Sequence, residues 1–143
     1  FRSVVVRGDL RRPPFRQGSF HAVVCNPPYR RARSGRTNPD RERAVARHEI
    51  LASLDDILRS GRLLLRGKGR LALIYPSERL TDLLARMRGL GLEPKRLQLV
   101  HPSLQADAKL VMVEAVLEGR PGVKVLPPIL DQGGYSLENG VRS

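Results

Sequence analysis

The chain has 143 residues, 41% hydrophobic and 4% aromatic, which is enough for one ordinary domain with a core. No apolar run approaches the roughly 18 residues that a membrane span needs, no signal-peptide core opens the chain, and its one cysteine, Cys25, excludes an internal disulfide and suits the cytoplasm. The formal net charge of +12 is lopsided: residues 1–70 carry 17 Lys/Arg against 6 Asp/Glu, and residues 71–143 carry 9 against 8.

The chain opens without an initiator Met, directly on "FRSVVVRGDL", and reads as a fragment or a processed product. Ser3–Val6 is a β-branched run closed by Gly8-Asp9, which predicts a buried strand ending in a turn. A proline-bearing connection leads to Phe20–Cys25, an apolar run that predicts an interior strand, stopped by Asn26-Pro27-Pro28 because proline lacks the ladder donor. Residues 30–39 are almost without apolar side chains and predict a basic mobile loop. Between Arg30 and Arg47 lie seven arginines against Asp40 and Glu42. Such a cluster can release counterions from phosphates; it can equally be a solvated surface, and Arg outnumbers Lys 22 to 4 throughout the chain, as a base-composition bias would produce.

From about Asp40 the spacing of Ala44, Ile50, Leu51, Leu54, Ile57 and Leu58 predicts a helix, running through Leu63–Leu65 to Gly67-Lys68-Gly69. Arg70–Tyr75 predicts a third strand. Glu78–Arg88 predicts a second helix, with Ser77 as its N-cap, Leu80, Leu83, Leu84 and Met87 on one face, and Gly89 and Gly91 at its end. Arg96–His101 and Lys109–Leu117 predict a hairpin-like pair of strands, and residues 119–143 a turn-rich tail with one or two short strands. Alternation of strands and helices predicts an α/β fold with a parallel sheet, whose ligands bind at the carboxyl ends of the strands. Asp9 and Asn26 both fall at such ends. His21 and His101 show no metal-ligand spacing, and no metal is expected.

Asn26-Pro27-Pro28-Tyr29 carries chemistry. The tetrapeptide is rare, about one chance occurrence in a thousand or more chains of this length, and it directly follows an interior strand. An exocyclic amine on a base is a poor nucleophile because its lone pair is delocalised into the ring. The Asn26 side-chain carbonyl and the Pro27 backbone carbonyl can accept both of its N–H groups and shift the nitrogen toward tetrahedral geometry. Two prolines stiffen the backbone, and Tyr29 can stack on the base, worth about 1–3 kcal/mol.

These segments resemble the C-terminal half of a class I S-adenosylmethionine-dependent methyltransferase. "VVVRGDL" resembles its third-strand motif, "SFHAVVCNPPY" its fourth-strand catalytic motif, and "GKGRLALIYPSERL" its fifth strand and following helix. "RERAVARHEI", "LEPKRLQLVHP" and "AKLVMVEAVLEGRPGVKVLPP" resemble the bacterial tRNA1(Val) adenine-37 N6-methyltransferase family, also described as small-domain methyltransferases. The resemblance covers nearly all of residues 1–143. It implies a partial Rossmann-like α/β fold, comprising strands three to seven of a sheet ordered 3-2-1-4-5-7-6 and lacking the first two.

It further implies methylation of adenine N6 in tRNA, with S-adenosyl-L-methionine as donor. Asn26, Pro27 and Tyr29 would be catalytic; Asp9, Phe20 and Asn26 would meet the donor; Pro28, Tyr29, Arg30, Arg31 and Arg33 would meet the nucleic acid. His48 and Glu49 match a subfamily phrase without an evident mechanism. The Gly-rich donor loop and the ribose-binding acid of the family are absent from the sequence, which implies weak or absent donor binding and an inactive isolated fragment. It also implies association with a missing N-terminal half or a strand-exchanged homodimer, because an apolar edge strand invites pairing. Protein glutamine N5-methylation, DNA adenine methylation, and an inactive RNA-binding module are the alternative readings.

Overall fold

The computed structural model describes residues 3–27 and 53–131, among which six strands form one sheet. The strands are β1 (Phe20–Cys25), β2 (Leu65–Pro76), β3 (Leu92–His101), β4 (Leu110–Leu117), β5 (Lys124–Val125) and β6 (Ile129–Leu130). Across the sheet they run β1-β2-β4-β3, and β5 and β6 each pair parallel with β3. β1 and β2 are parallel, while β4 is antiparallel to both of its neighbours. This reproduces the 4-5-7-6 part of the strand order implied by the resemblance.

The core follows from period-two alternation. In β2 and β4 the register sets Leu71 opposite Ala115, Leu73 opposite Val113 and Tyr75 opposite Val111, and all six are buried. Two helices cover that face: α1 (Leu54–Leu64) through Leu54, Ile57 and Leu58, and α2 (Leu80–Gly89) through Leu83 and Met87. Those spacings of three and four place one stripe of each helix inward. Val23 and Cys25 of β1 lean on the same core. Val24, Ala72, Ile74, Met112 and Glu114 point to the other face, and no helix among the described residues lies over it.

Several boundaries differ from the sequence expectations. Ser3–Val6 forms no strand; Val4 and Val5 are 83% and 97% exposed. A β-branched run becomes a strand only beside a partner, and none of the described residues offers it a ladder. α1 starts at Ser53, where a capping box closes it: the Ser53 hydroxyl accepts from Asp56 N–H at 3.1 Å, and the Asp56 carboxylate accepts from Ser53 N–H at 2.9 Å. The earlier part of the expected helix, residues 40–52, lies outside the described residues. The helix also stops at Leu64 rather than at Gly67.

Gly67-Lys68-Gly69 is a bulge within β2. The pairing with β1 jumps from Phe20–Leu65 to Ala22–Arg70, and Lys68 adopts φ 62°. A Cβ at Gly69 would sit 2.8 Å from the Arg66 carbonyl oxygen and 3.2 Å from that of His21, so only glycine fits. Ser77 is not an N-cap either. It opens a 3-10 turn (Ser77–Arg79) ahead of α2, its hydroxyl donates to the Ala108 carbonyl, and its N–H donates to the Lys109 carbonyl at 3.1 Å. The expected short strands after residue 119 are β5 and β6.

Candidate functional site

Because β1, β2 and β3 run the same way, Asn26, Ser77 and Pro102 leave the sheet along one rim, the end at which open α/β sheets bind ligands. Asn26 is the first residue beyond β1. It is exposed, and Pro27 behind it is buried, so the strand tip is anchored while the amide side chain meets solvent. Asn26 lines one end of a concavity of about 420 Å³ on the uncovered sheet face, walled by Val24, Ala72, Ile74, Met112, Gln98 and Leu126. A flat heterocycle can reach Asn26 without displacing the core. Pro28, Tyr29, Arg30, Arg31 and Arg33, together with His48 and Glu49, lie outside the described residues.

Asp9 occupies a tight turn bridged to Arg12 and is gripped by one neighbour. Its Oδ1 accepts from the Arg11 N–H at 2.9 Å and from Arg11 Nε at 3.1 Å, and its Oδ2 accepts from the terminal guanidinium nitrogen at 2.8 Å. The Arg11 side-chain hydrogen bonds, then its backbone N–H, lower the Asp9 pKa to about 2. Three of the roughly four acceptor sites of the carboxylate are used, which leaves a lone pair on Oδ2 for a further donor. The turn docks on α1, where the Ser60 hydroxyl donates to the Leu10 carbonyl. The concavity beside Asn26 does not include Asp9.

Phe20 is outside that concavity as well. It starts β1, six residues before Asn26, about 20 Å along an extended strand. Its ring meets that of Phe15 edge-on, with centroids 5.3 Å apart. The structure gives Phe20 a packing partner and does not bring it to Asn26. Cys25 is half-buried, and desolvation pushes its thiol pKa up, so it behaves as a small apolar side chain. Among the described residues no group of His, Cys, Asp and Glu could hold a metal ion, and no helix is long and apolar enough to cross a membrane.

Two features were not read from the sequence. Arg11 shares a turn with Asp9, and the "GDLR" spacing that lets an arginine fold back two residues was the available signal. The other is Glu114, alone in the apolar run "LVMVEAVL". It accepts from Arg70 at 2.6 Å and Arg96 at 2.5 Å, tying β2, β4 and β3 together. The Arg96 hydrogen bond chiefly, aided by Arg70, holds its carboxyl below the usual range against partial desolvation.

Comparison with known proteins finds relatives of one description. The chain is 36% identical over 121 residues to the tRNA1(Val) (adenine(37)-N6)-methyltransferase of Parabacteroides distasonis, an alignment covering 83% of this chain and 50% of that protein. It is 32% identical over 117 residues to the protein of the same name from Vibrio cholerae, covering 82% and 48%. The chain thus spans about half the length of the curated relatives it matches. No family model matches it.

Among solved structures, an Agrobacterium tumefaciens protein named by prediction as an O-methyltransferase superposes with TM-score 0.61 at 19% identity, covering 89% of this chain and 54% of that one. A Listeria monocytogenes protein, provisionally called a class I S-adenosylmethionine-dependent methyltransferase, superposes with TM-score 0.51 at 13% identity, covering 85% and 39%. The described residues have part of the class I methyltransferase fold.

Proposed function

We propose that this chain carries the target-amine part of an S-adenosylmethionine-dependent methyltransferase acting on adenine N6 in tRNA, in the cytoplasm. The observation that carries the reading is Asn26: an exposed amide on a buried proline anchor, at the carboxyl tip of a strand that runs parallel to β2 and, among the described residues, forms the edge of the sheet. The relatives' names support methyl transfer to a tRNA adenine as the reaction.

The Asn26 side-chain oxygen accepts one N–H of the adenine amine, and the Pro27 carbonyl accepts the other. Holding both directs the nitrogen lone pair out of the ring plane, where it can attack. Tyr29 stacks on the base and fixes its tilt. The donor, when bound, supplies an electrophilic methyl group, and Asp9 offers its remaining lone pair to the donor's adenine. No strong base is required, because the nitrogen becomes acidic once alkylated and releases its proton to solvent. Arg30, Arg31 and Arg33 follow the motif at once and neutralise phosphates flanking the extruded nucleotide.

The test is methyl transfer to bulk tRNA followed by nucleoside analysis. It is run on the chain alone and on the chain fused behind the unmatched half of the Parabacteroides distasonis relative. The expected product is N6-methyladenosine from the fusion, with Asn26→Ala lowering the rate about 100-fold or more, as for removal of a group that acts in the transition state. Affinity for tRNA should change less than about threefold in that variant. Retained activity in Asn26→Ala, or methyl groups recovered on protein glutamine, overturns the reading.

A further inference from the structure

We infer that the rim of the sheet opposite Asn26 is a second nucleic-acid contact, which takes the phosphate backbone of the same RNA whose adenine Asn26 would hold. The choice of RNA as partner rests on the proposed function; the surplus of positive charge at this rim does not.

Charge is divided unevenly between the two rims. Around Asn26 the described ionisable side chains nearly cancel: Arg79 pairs with Asp82 at 3.2 Å, and Lys109 is outnumbered by Glu78 and Asp107. At the other end, where β2 begins, β4 finishes and the turn 118–123 leads into β5, stand Arg66, Lys68, Lys95, Arg120 and Lys124. Among the described residues none of these five is within ion-pair reach of a carboxylate. Glu118 is the acidic residue of the turn; neighbouring Glu93 is held by Arg88 at 3.2 Å, and Glu114 by Arg70 and Arg96. The cations are spread rather than convergent: Lys68 on β2 and Lys124 on β5 are three strand spacings apart, about 14 Å. A single phosphate cannot meet such a row, whereas a nucleic-acid backbone presents charge at intervals of a few ångströms.

Backbone conformation marks the same place. Lys68 and Glu118, with φ 62° and 55°, are the described residues other than glycine that lie in the left-handed region, and they touch: Lys68 Nζ donates to the Glu118 carbonyl. Both side chains are exposed, so burial accounts for neither conformation. Beside them Lys95 Nζ donates to the Arg120 carbonyl at 3.1 Å. Each lysine spends one of its three donors on the turn and keeps two for an anion. Strained residues of this kind cluster where a surface must hold its shape for a ligand. Here they fix the turn that presents Arg120 and Lys124. Cys25 stands opposite Leu73, so Asn26 is level with Ile74, six residues along β2 from Lys68, and the two contacts are about 20 Å apart. One duplex arm carries phosphates without a break over that length.

The experiment measures binding of bulk tRNA to the 143-residue chain across salt concentrations. Arg66→Gln, Arg120→Gln and Lys124→Gln are combined, because all three side chains are exposed; an unchanged urea midpoint checks that the variant folds. Binding is expected to weaken about tenfold or more, with the log–log salt slope flatter by about 2–3, as for three phosphate contacts. Arg120→Gln alone, in the exposed turn, repeats the test at about one unit of slope. A control with Arg7→Gln, Arg12→Gln and Arg59→Gln removes the same charge from the amino-terminal turn and α1, and should move the slope by less than about 1. Equal effects of the two triple variants, no effect of the first, or a parent chain without tRNA affinity at low salt overturns the surface. Loss of binding to phosphatidylserine vesicles, with tRNA binding intact, overturns the choice of RNA. In the fusion of the preceding section the first variant should raise KM for tRNA about tenfold and leave kcat within about twofold. An unchanged KM overturns the claim that one RNA spans both rims. A fusion that never methylates while the salt slope still responds sinks the functional reading and leaves the contact standing.

Discussion

Asp9 and Arg11 form a self-contained device, a carboxylate receiving three hydrogen bonds from the residue two places on. Its folded pKa lies near 2, below the ordinary 3.8. The sign follows: the contribution of this turn is fully present above the ordinary value and is lost as pH falls through about 2. Carboxyl titration by NMR should give a midpoint near 2 in the parent, rising toward 3.8 in Arg11→Ala. At this scale, legibility depended on whether a role is local. The proposal for Asn26 could be made from sequence alone because it rests on four consecutive residues. Ser77 was misread as a cap because its hydroxyl goes to Ala108, 31 residues away, and nothing near Ser77 announces that partner.

Element boundaries turn on close approaches. Gly69 sits where the β2 bulge presses against two carbonyl oxygens, while a Cβ on Gly67 in the same bulge would meet nothing within 4 Å. Gly69→Val should cost about 1–3 kcal/mol in urea unfolding, the usual range for overpacking. Gly67→Ala should change stability by less than about 1 kcal/mol. From sequence, these glycines looked like a helix end; in the bulge the left-handed φ falls at Lys68, and what Gly69 supplies is room beside two carbonyl oxygens. The four longer strands were readable because apolar runs of that length bounded by turn residues have few other solutions. The arm Ser3–Val6 has the same composition and stays irregular, because pairing belongs to two segments and never to one. The start of α1 was legible in principle: Ser53 and Asp56 have capping-box spacing, but the periodicity continuing upstream from Leu54 masked it.

At the scale of the whole molecule, charge and topology each make a claim. If the arginine-rich stretch after the motif contacts tRNA phosphates, reversing Arg30, Arg31 and Arg33 together should flatten the log–log salt dependence of binding by about 2–3. A slope that does not move would leave these arginines solvated bystanders. The fold class was legible from the alternation of strands and helices, and the antiparallel partner of β3 from the short connection before Lys109. The bare sheet face was not, because apolar residues on both sides of a strand look alike whether or not something covers them. The placement of β4 has a temporal corollary. It inserts between β2 and β3, so the strand that stitches the two halves of the sheet is synthesised after both. A nascent chain halted before Leu110 leaves β2 and β3 as separate exposed edges. Cooperative folding on the ribosome should therefore begin only when Leu117 has cleared the exit tunnel, and a pause just upstream is the moment at which this protein is most open to mispairing.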